Sequence, residues 1–244
     1  MKKLLLFVIM VIPLMVSACS CNKFNIGTYE SAVKKFDDSI GFEYNLKITT
    51  EYANENYYHV ETSHNTYMLT TTGEVENFSS KSRKEKTITH ELGPNDAPII
   101  EYTAETYYVG SSRKLYKKES LSTGREESSV ESISYESKYS NPSDRYNIDN
   151  LIPTFAEDEM LDFSISKVEG SEGCSIAVFT ASIPSYISSD EDTTVYSVTM
   201  DKDFYFSSIT FSVIVGDKTI TYEYQFINFN SDVVVTFPTN LEDY

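Results

Sequence analysis

Few side chains in this chain are placed to do chemistry near neutral pH. The histidines are His59, His64 and His90. His59 and His64 fall across a predicted strand and turn, unlike the i, i+4 pair of a helical zinc protease or the spacing of a zinc finger. They read as solvent-facing strand residues. The acidic runs Glu157-Asp158-Glu159 and Ser188-Ser189-Asp190-Glu191-Asp192 carry the oxygen ligands that calcium takes. Neither has EF-hand spacing or its central glycine, so both read as solvated loops. Serines abound without a Gly-x-Ser-x-Gly elbow, there is no glycine-rich phosphate loop, and Cys19-Ser20-Cys21 is one residue short of a CxxC. The expectation is no metal, no cofactor and no catalysis.

Tyrosines are the remaining chemical resource. Tyr57, Tyr58, Tyr67, Tyr102, Tyr107, Tyr108, Tyr116 and Tyr135 lie in predicted strands, where aromatic cross-strand pairs stabilise a sheet. An exposed row of them can bind sugar or peptide, and an inward set can line an acyl cavity. Sheet packing is the default reading.

The N-terminus carries a sharper signal. Met1-Lys2-Lys3 precedes an apolar run from Leu4 to Met15, then Val16-Ser17-Ala18-Cys19. A cationic start, a short apolar region and small residues before a cleavage point mark a secretory signal. A stable span needs about 20 apolar residues, and Pro13 interrupts this run. The final tetrad resembles the lipobox of bacterial lipoproteins. That resemblance implies that the Cys19 thiol takes a diacylglycerol and becomes the mature N-terminus. The expected divisions are residues 1–18 as signal peptide, 19–27 as lipidated tether and 28–244 as the folded domain.

Charge narrows the partners. The net charge is −17, and loss of Lys2 and Lys3 with the signal takes it to −19. Such a chain is unsuited to nucleic acid, where affinity comes from neutralised phosphates. An anionic bilayer repels it as well, so attachment to a membrane falls to the lipid anchor. An aromatic share of 14% argues for a folded chain. Cys21 reads as an incidental tether residue and Cys174 as a small packed residue at a strand start, in preference to a disulfide between them.

Periodicity supplies the elements. Thr28 to Ile40 reads as an amphipathic helix, capped by Thr28, with Ala32, Val33 and Phe36 on one face and Gly41 as its stop. After Gly41 the period changes to 2. Phe42, Tyr44, Leu46 and Ile48 alternate with polar residues. Strands are predicted at 56–62, 66–72, 85–91, 99–109, 114–119 and 130–137. After a central break holding a helical piece at Tyr146–Ile152, further strands follow at 161–168, 174–182, 193–200, 204–215 and 219–228. A short last strand is expected at Val233–Phe237. No helix of crossover length separates the strands, so they pair as antiparallel neighbours. Gly216-Asp217 is the clearest hairpin turn.

The expected fold is therefore mainly β with a few helices. It is a single curved antiparallel sheet, a half-barrel, closed by the N-terminal helix and the central helical segment. Val198-Thr199-Met200-Asp201-Lys202-Asp203, and the closing Ile227-Asn228-Phe229-Asn230-Ser231-Asp232-Val233 with the run to Pro238, resemble lipoprotein-carrier-like half-barrels of the LolA and LppX type. The resemblance implies an apolar cavity able to take acyl chains, and it carries over no catalytic residue. A soluble carrier is not itself anchored, so the lipobox favours an anchored relative.

Alternation places Phe42, Tyr44, Leu46, Ile48, Tyr102, Ile209, Phe211, Val213, Tyr222, Tyr224 and Phe226 on the concave face, as candidate cavity-lining residues. A filled core and an acyl slot both need such walls, and the pattern fits either. The expected role is a membrane-anchored, non-catalytic lipoprotein of the cell envelope that binds a lipid or other apolar ligand. The competing reading is an envelope interaction module that binds protein or polysaccharide through its sheet surface.

Overall fold

The computed structural model describes residues 26–55, 57–88, 99–122, 127–136, 160–167, 174–180, 194–201 and 203–241. The signal peptide, Cys19, Cys21, His90, the helical piece expected at Tyr146–Ile152 and both acidic runs lie outside them.

Helix α1 spans Ile26–Asp37 and is followed by β1 (Gly41–Tyr52), β2 (Tyr57–Leu69), β3 (Val75–Ile88), β4 (Ile99–Val109), β5 (Lys114–Ser122) and β6 (Glu127–Glu136). The second run is β7 (Met160–Lys167), β8 (Cys174–Thr180), β9 (Thr194–Met200), β10 (Phe206–Val215) and β11 (Lys218–Phe229). All eleven form one sheet in the order β6-β5-β4-β3-β2-β1-β11-β10-β9-β8-β7. Two antiparallel meanders are thus joined where the first strand pairs with the last, and β6 and β7 stand at the two ends. Eleven twisted strands, spaced about 4.8 Å, curl rather than stay flat. The result is a single antiparallel sheet, curved as a half-barrel and not closed into a barrel.

Register explains the faces. Phe42 pairs with Tyr67 on β2, Tyr67 with Phe78 on β3 and Phe78 with Tyr108 on β4. All four are buried, and α1 packs on this side through Tyr29, Ala32 and Phe36. The Phe36 ring lies 4.8 Å from Phe42 and 5.9 Å from Phe226. Opposite Glu43-Tyr44 the last strand carries an extra residue, Ile227, which is left 46% exposed. Such a bulge bends the strand that holds it.

Five expectations need correction. The helix begins two residues before Thr28, so Thr28 is not its cap. It also ends at Asp37, before Gly41. The Ser39 hydroxyl donates to the Lys35 carbonyl at 2.8 Å, which takes up a carbonyl the helix end leaves open. Gly41 instead opens β1, where a Cβ would meet the Tyr67 carbonyl at 3.0 Å and the Val233 side chain at 3.2 Å. Close approach is what calls for glycine there.

Tyr57–Leu69 is one continuous strand in place of the two expected at 56–62 and 66–72, and β3 begins at Val75, ten residues before the predicted start. Much of β3 is polar on both sides, so alternation could not reveal it. Finally, Val233–Phe237 is not a strand. It runs extended, with Val233 and Val235 buried and Val234 69% exposed. Val233 rests on Gly41, and the Phe237 ring lies 6.3 Å from Tyr107. Since Gly41 and Tyr107 point away from the α1 side by strand alternation, this tail straps the opposite face from β1 to β4.

Candidate functional site

The helix-side face holds every residue expected to line a cavity. In β1, Tyr44 pairs with Phe226, Leu46 with Tyr224 and Ile48 with Tyr222. In turn Tyr224 pairs with Ile209, Tyr222 with Phe211 and Ile220 with Val213. The rows continue into β9, where Val198 faces Ile209 and Tyr196 faces Phe211. These residues share a face because each strand has one apolar side.

Burial divides the set. Phe42, Tyr44, Ile209, Val213 and Phe226 are buried, and Val213 is only 2% exposed. All of these but Val213 join Phe36, Met200, Val198 and Phe206 in a packed core at the end of the wall under α1, whereas Val213, opposite Ile220, is buried at the other end. Farther along the strands, Leu46, Ile48, Phe211, Tyr222 and Tyr224 are half-buried. There the rings form a connected series. Tyr44 lies 5.9 Å from Tyr224, and Phe211 lies 4.8 Å from both Tyr222 and Tyr196. Tyr102 shares the face but not the cluster. It sits on β4, and its hydroxyl donates to the Glu119 carboxylate at 2.6 Å.

The wall is two-toned. Toward β2 and β3 the same face carries Asn65, Ser63 and Ser80. The Asn65 amide donates to the Ser63 hydroxyl and accepts from the Ser80 hydroxyl, both at 2.8 Å. Asn65 and Thr106 are 6% exposed. The hydrogen bonds compensate the burial of Asn65. On β5, the hydrogen bond from Lys117, then that from Tyr102, holds the Glu119 carboxyl below the usual range.

Phenol acidity follows burial. Desolvation pushes the Tyr224 hydroxyl up to about 12, with Tyr222 and Tyr196 adding to the shift. Tyr29 and Tyr44 are raised further by the same cause. At physiological pH these groups are neutral, so they present hydrogen bonds without charge to anything lying on the wall.

Sequence reasoning omitted Tyr29, Tyr67, Phe78, Tyr196, Val198, Met200 and Phe206 from this face. Tyr196, Val198 and Met200 were visible as an alternating triplet. Phe78 was not, because β3 beyond it is almost wholly polar. His59 also departs from expectation. Its side chain is only 16% exposed, 3.0 Å from Glu101 and against the rings of Tyr52 and Tyr57. His64, at 44%, is more open. Among the described residues no group of three or more His, Cys, Asp and Glu is placed to hold a metal ion.

No protein-family model matches the sequence, and no curated protein matches it significantly. Among solved structures, LprF from Mycobacterium bovis is similar at 9% identity, covering 88% of this chain and 96% of that one, with a TM-score of 0.47. A β-barrel-like protein of a domain of unknown function, DUF1849, from Brucella abortus is similar at 8% identity over 81% of this chain and 100% of that one, with a TM-score of 0.30. Likenesses this distant carry no inference about function.

Proposed function

We propose that the protein is an extracytoplasmic lipoprotein, anchored through Cys19, whose helix-side wall receives the acyl part of a lipid. The observation that carries this reading is the half-buried extension of the apolar wall beyond the packed core under α1. Leu46 and Ile48 span about 7 Å at about 3.4 Å per residue, and Tyr224, Tyr222 and Phe211 extend this half-buried surface across the neighbouring strands. Each methylene buried there contributes about 0.8 kcal/mol. The neutral phenols of Tyr222 and Tyr224 add hydrogen-bonding groups without the cost of burying a charge. Among the described residues no helix is long and apolar enough to cross a membrane, so the lipid on Cys19 supplies the attachment in this reading.

The test uses the full-length protein in mild detergent. Native mass spectrometry should find co-purified lipid, and a fluorescent fatty acid should bind. Leu46→Lys, which sets a charge on the half-buried wall, should abolish that binding with an unchanged far-UV spectrum. Absence of lipid and of fatty-acid binding in the wild type would refute the cavity. The anchor is tested separately. Cys19→Ala should yield an unlipidated precursor or a secreted form, and unchanged partition into detergent with unchanged mass would refute it.

A further inference from the structure

We infer that the lipid received by the helix-side wall carries a zwitterionic headgroup, a phosphate beside an ammonium, which lies on β2 to β4. This headgroup belongs to the same ligand as the acyl part proposed above and stands only if the wall receives one. Register sets out the path. One rung runs Phe211, Tyr222, Ile48, Glu61, Lys84, Tyr102 from β10 to β4. Its first three side chains are aromatic or aliphatic and its next two are charged, so polarity changes between β1 and β2. An amphiphile lying along the rung undergoes the same change, and two strand spacings, about 10 Å, take it from Ile48 to Lys84.

Lys84 and Lys86 supply the anion subsite. Two residues apart on β3, they point to the same side, and both are half-buried. Among the described residues neither forms an ion pair. The Lys86 ammonium sits instead 3.7 Å from the centre of the Tyr57 ring. A phosphate between the two lysines compensates for the water that half-burial removes.

A bulge places the opposite charge. Lys84 pairs with Tyr102 and Glu85 with Ile100, which leaves Glu101 as an extra residue of β4. Such a residue re-aims its side chain. The Glu101 carboxylate reaches the helix side, 3.0 Å from Nδ1 of His59, whose strand partners Thr50 and Lys86 form the next rung. That buried Nδ1 makes no hydrogen bond among the described residues. The Glu101 oxygens are therefore left to accept from the N–H groups of an ammonium. One strand spacing, about 4.8 Å, separates β3 from β4, and an ethanolamine headgroup sets its two charges a pair of methylenes apart.

The charges of this region balance. Lys84 and Lys86 share it with Glu61 and Glu101, Lys117 is paired with Glu119, and Glu55 and Lys218 both act on Tyr57 at the rim. Glu61 also acts on Tyr222, where burial and then that carboxylate raise the phenol. A headgroup with negative charge alone meets these carboxylates at a cost, and an uncharged one leaves the lysines unanswered. A zwitterion answers both.

Native mass spectrometry of the full-length protein in mild detergent tests the headgroup. The probe is an equimolar mixture of lysophosphatidylethanolamine, lysophosphatidylglycerol and monoacylglycerol with the same acyl chain. The ethanolamine lipid should give an adduct at least about tenfold more abundant than either of the others, or about 1.4 kcal/mol. Glu101→Gln should remove its lead over the glycerol phospholipid. Lys84→Met combined with Lys86→Met should lower both phospholipids to the monoacylglycerol level. Equal adducts of all three, a lead for the anionic lipid, or an undiminished preference in these variants would each overturn the inference while the acyl wall stands. An adduct with free phosphoethanolamine would overturn it too, by assigning the cluster to a soluble phosphate ester. No adduct with any of the three lipids would refute the wall itself.

Discussion

Tyr224 shows how one position fixes a side chain's chemistry. Its strand partners Leu46 and Ile209 are apolar, and it lies beside Tyr44 and Phe211 on the helix-side wall. Burial, aided by Tyr222 and Tyr196, raises the phenol from 10.0 to about 12. Below pH 10 the folded and unfolded chains both keep this proton, so stability does not depend on it. Between pH 10 and about 12 the unfolded chain releases a proton that the folded chain retains, and stability falls. The urea midpoint should therefore hold level up to pH 10 and drop above it, with Tyr224→Phe reducing the drop. An equal drop in Tyr224→Phe would show that the phenol is not desolvated as described. Alternation was enough to place Tyr224 on this face. It could not separate Tyr224 from its fully buried partner Ile209, because depth depends on how the elements pack over the sheet.

At the scale of elements, the joints carry the information. Asn230 follows β11 with φ +58°, a conformation that asparagine tolerates better than most residues. Its side-chain oxygen accepts the Ile40 N–H at 3.1 Å, and its amide donates to the Tyr205 hydroxyl at 3.3 Å. Asp201 orders the preceding turn by accepting the N–H groups of Asp203 and Tyr205 at 2.8 and 2.9 Å. Lys35 of α1 reaches the same corner, its ammonium 4.4 Å from the centre of the Tyr205 ring. The helix exit, the β9–β10 turn and the end of β11 thus meet at one corner.

Asn230→Ala should cost about 1–2 kcal/mol, chiefly because alanine is strained at this positive φ. The measurement is a lower urea midpoint at unchanged m-value. A midpoint within error of wild type would mean that the joint is held by packing alone. The two segments that resemble the half-barrel family are these two loops, so the residues that carry the likeness are structural ones. The strap from Val233 to Phe237 misled the reading for a physical reason. A segment lying across a sheet face buries every second residue just as a strand does, and only hydrogen-bond partners tell them apart.

At the scale of the whole molecule, the β1–β11 pairing makes two meanders one body. Losing it would expose the unpaired edge of each half. Urea unfolding followed by far-UV circular dichroism and by tyrosine fluorescence, usable because the chain has no tryptophan, should therefore give coincident transitions. Two separated transitions would show that the meanders fold independently.

What the sequence determined by itself was local: the helix near residue 30, the change from period 3.6 to 2, the Gly216 turn with its φ of +64°, and the apolar side of each strand. Those features follow from backbone sterics and from which side chains leave water. The tertiary structure alone decided that the first and last strands meet, that β3 joins the sheet although most of it is polar on both faces, and that Glu101 comes to lie beside His59. These depend on register between strands far apart in the chain. Register is set by the summed pairing of the whole sheet, so no local stretch of residues encodes it.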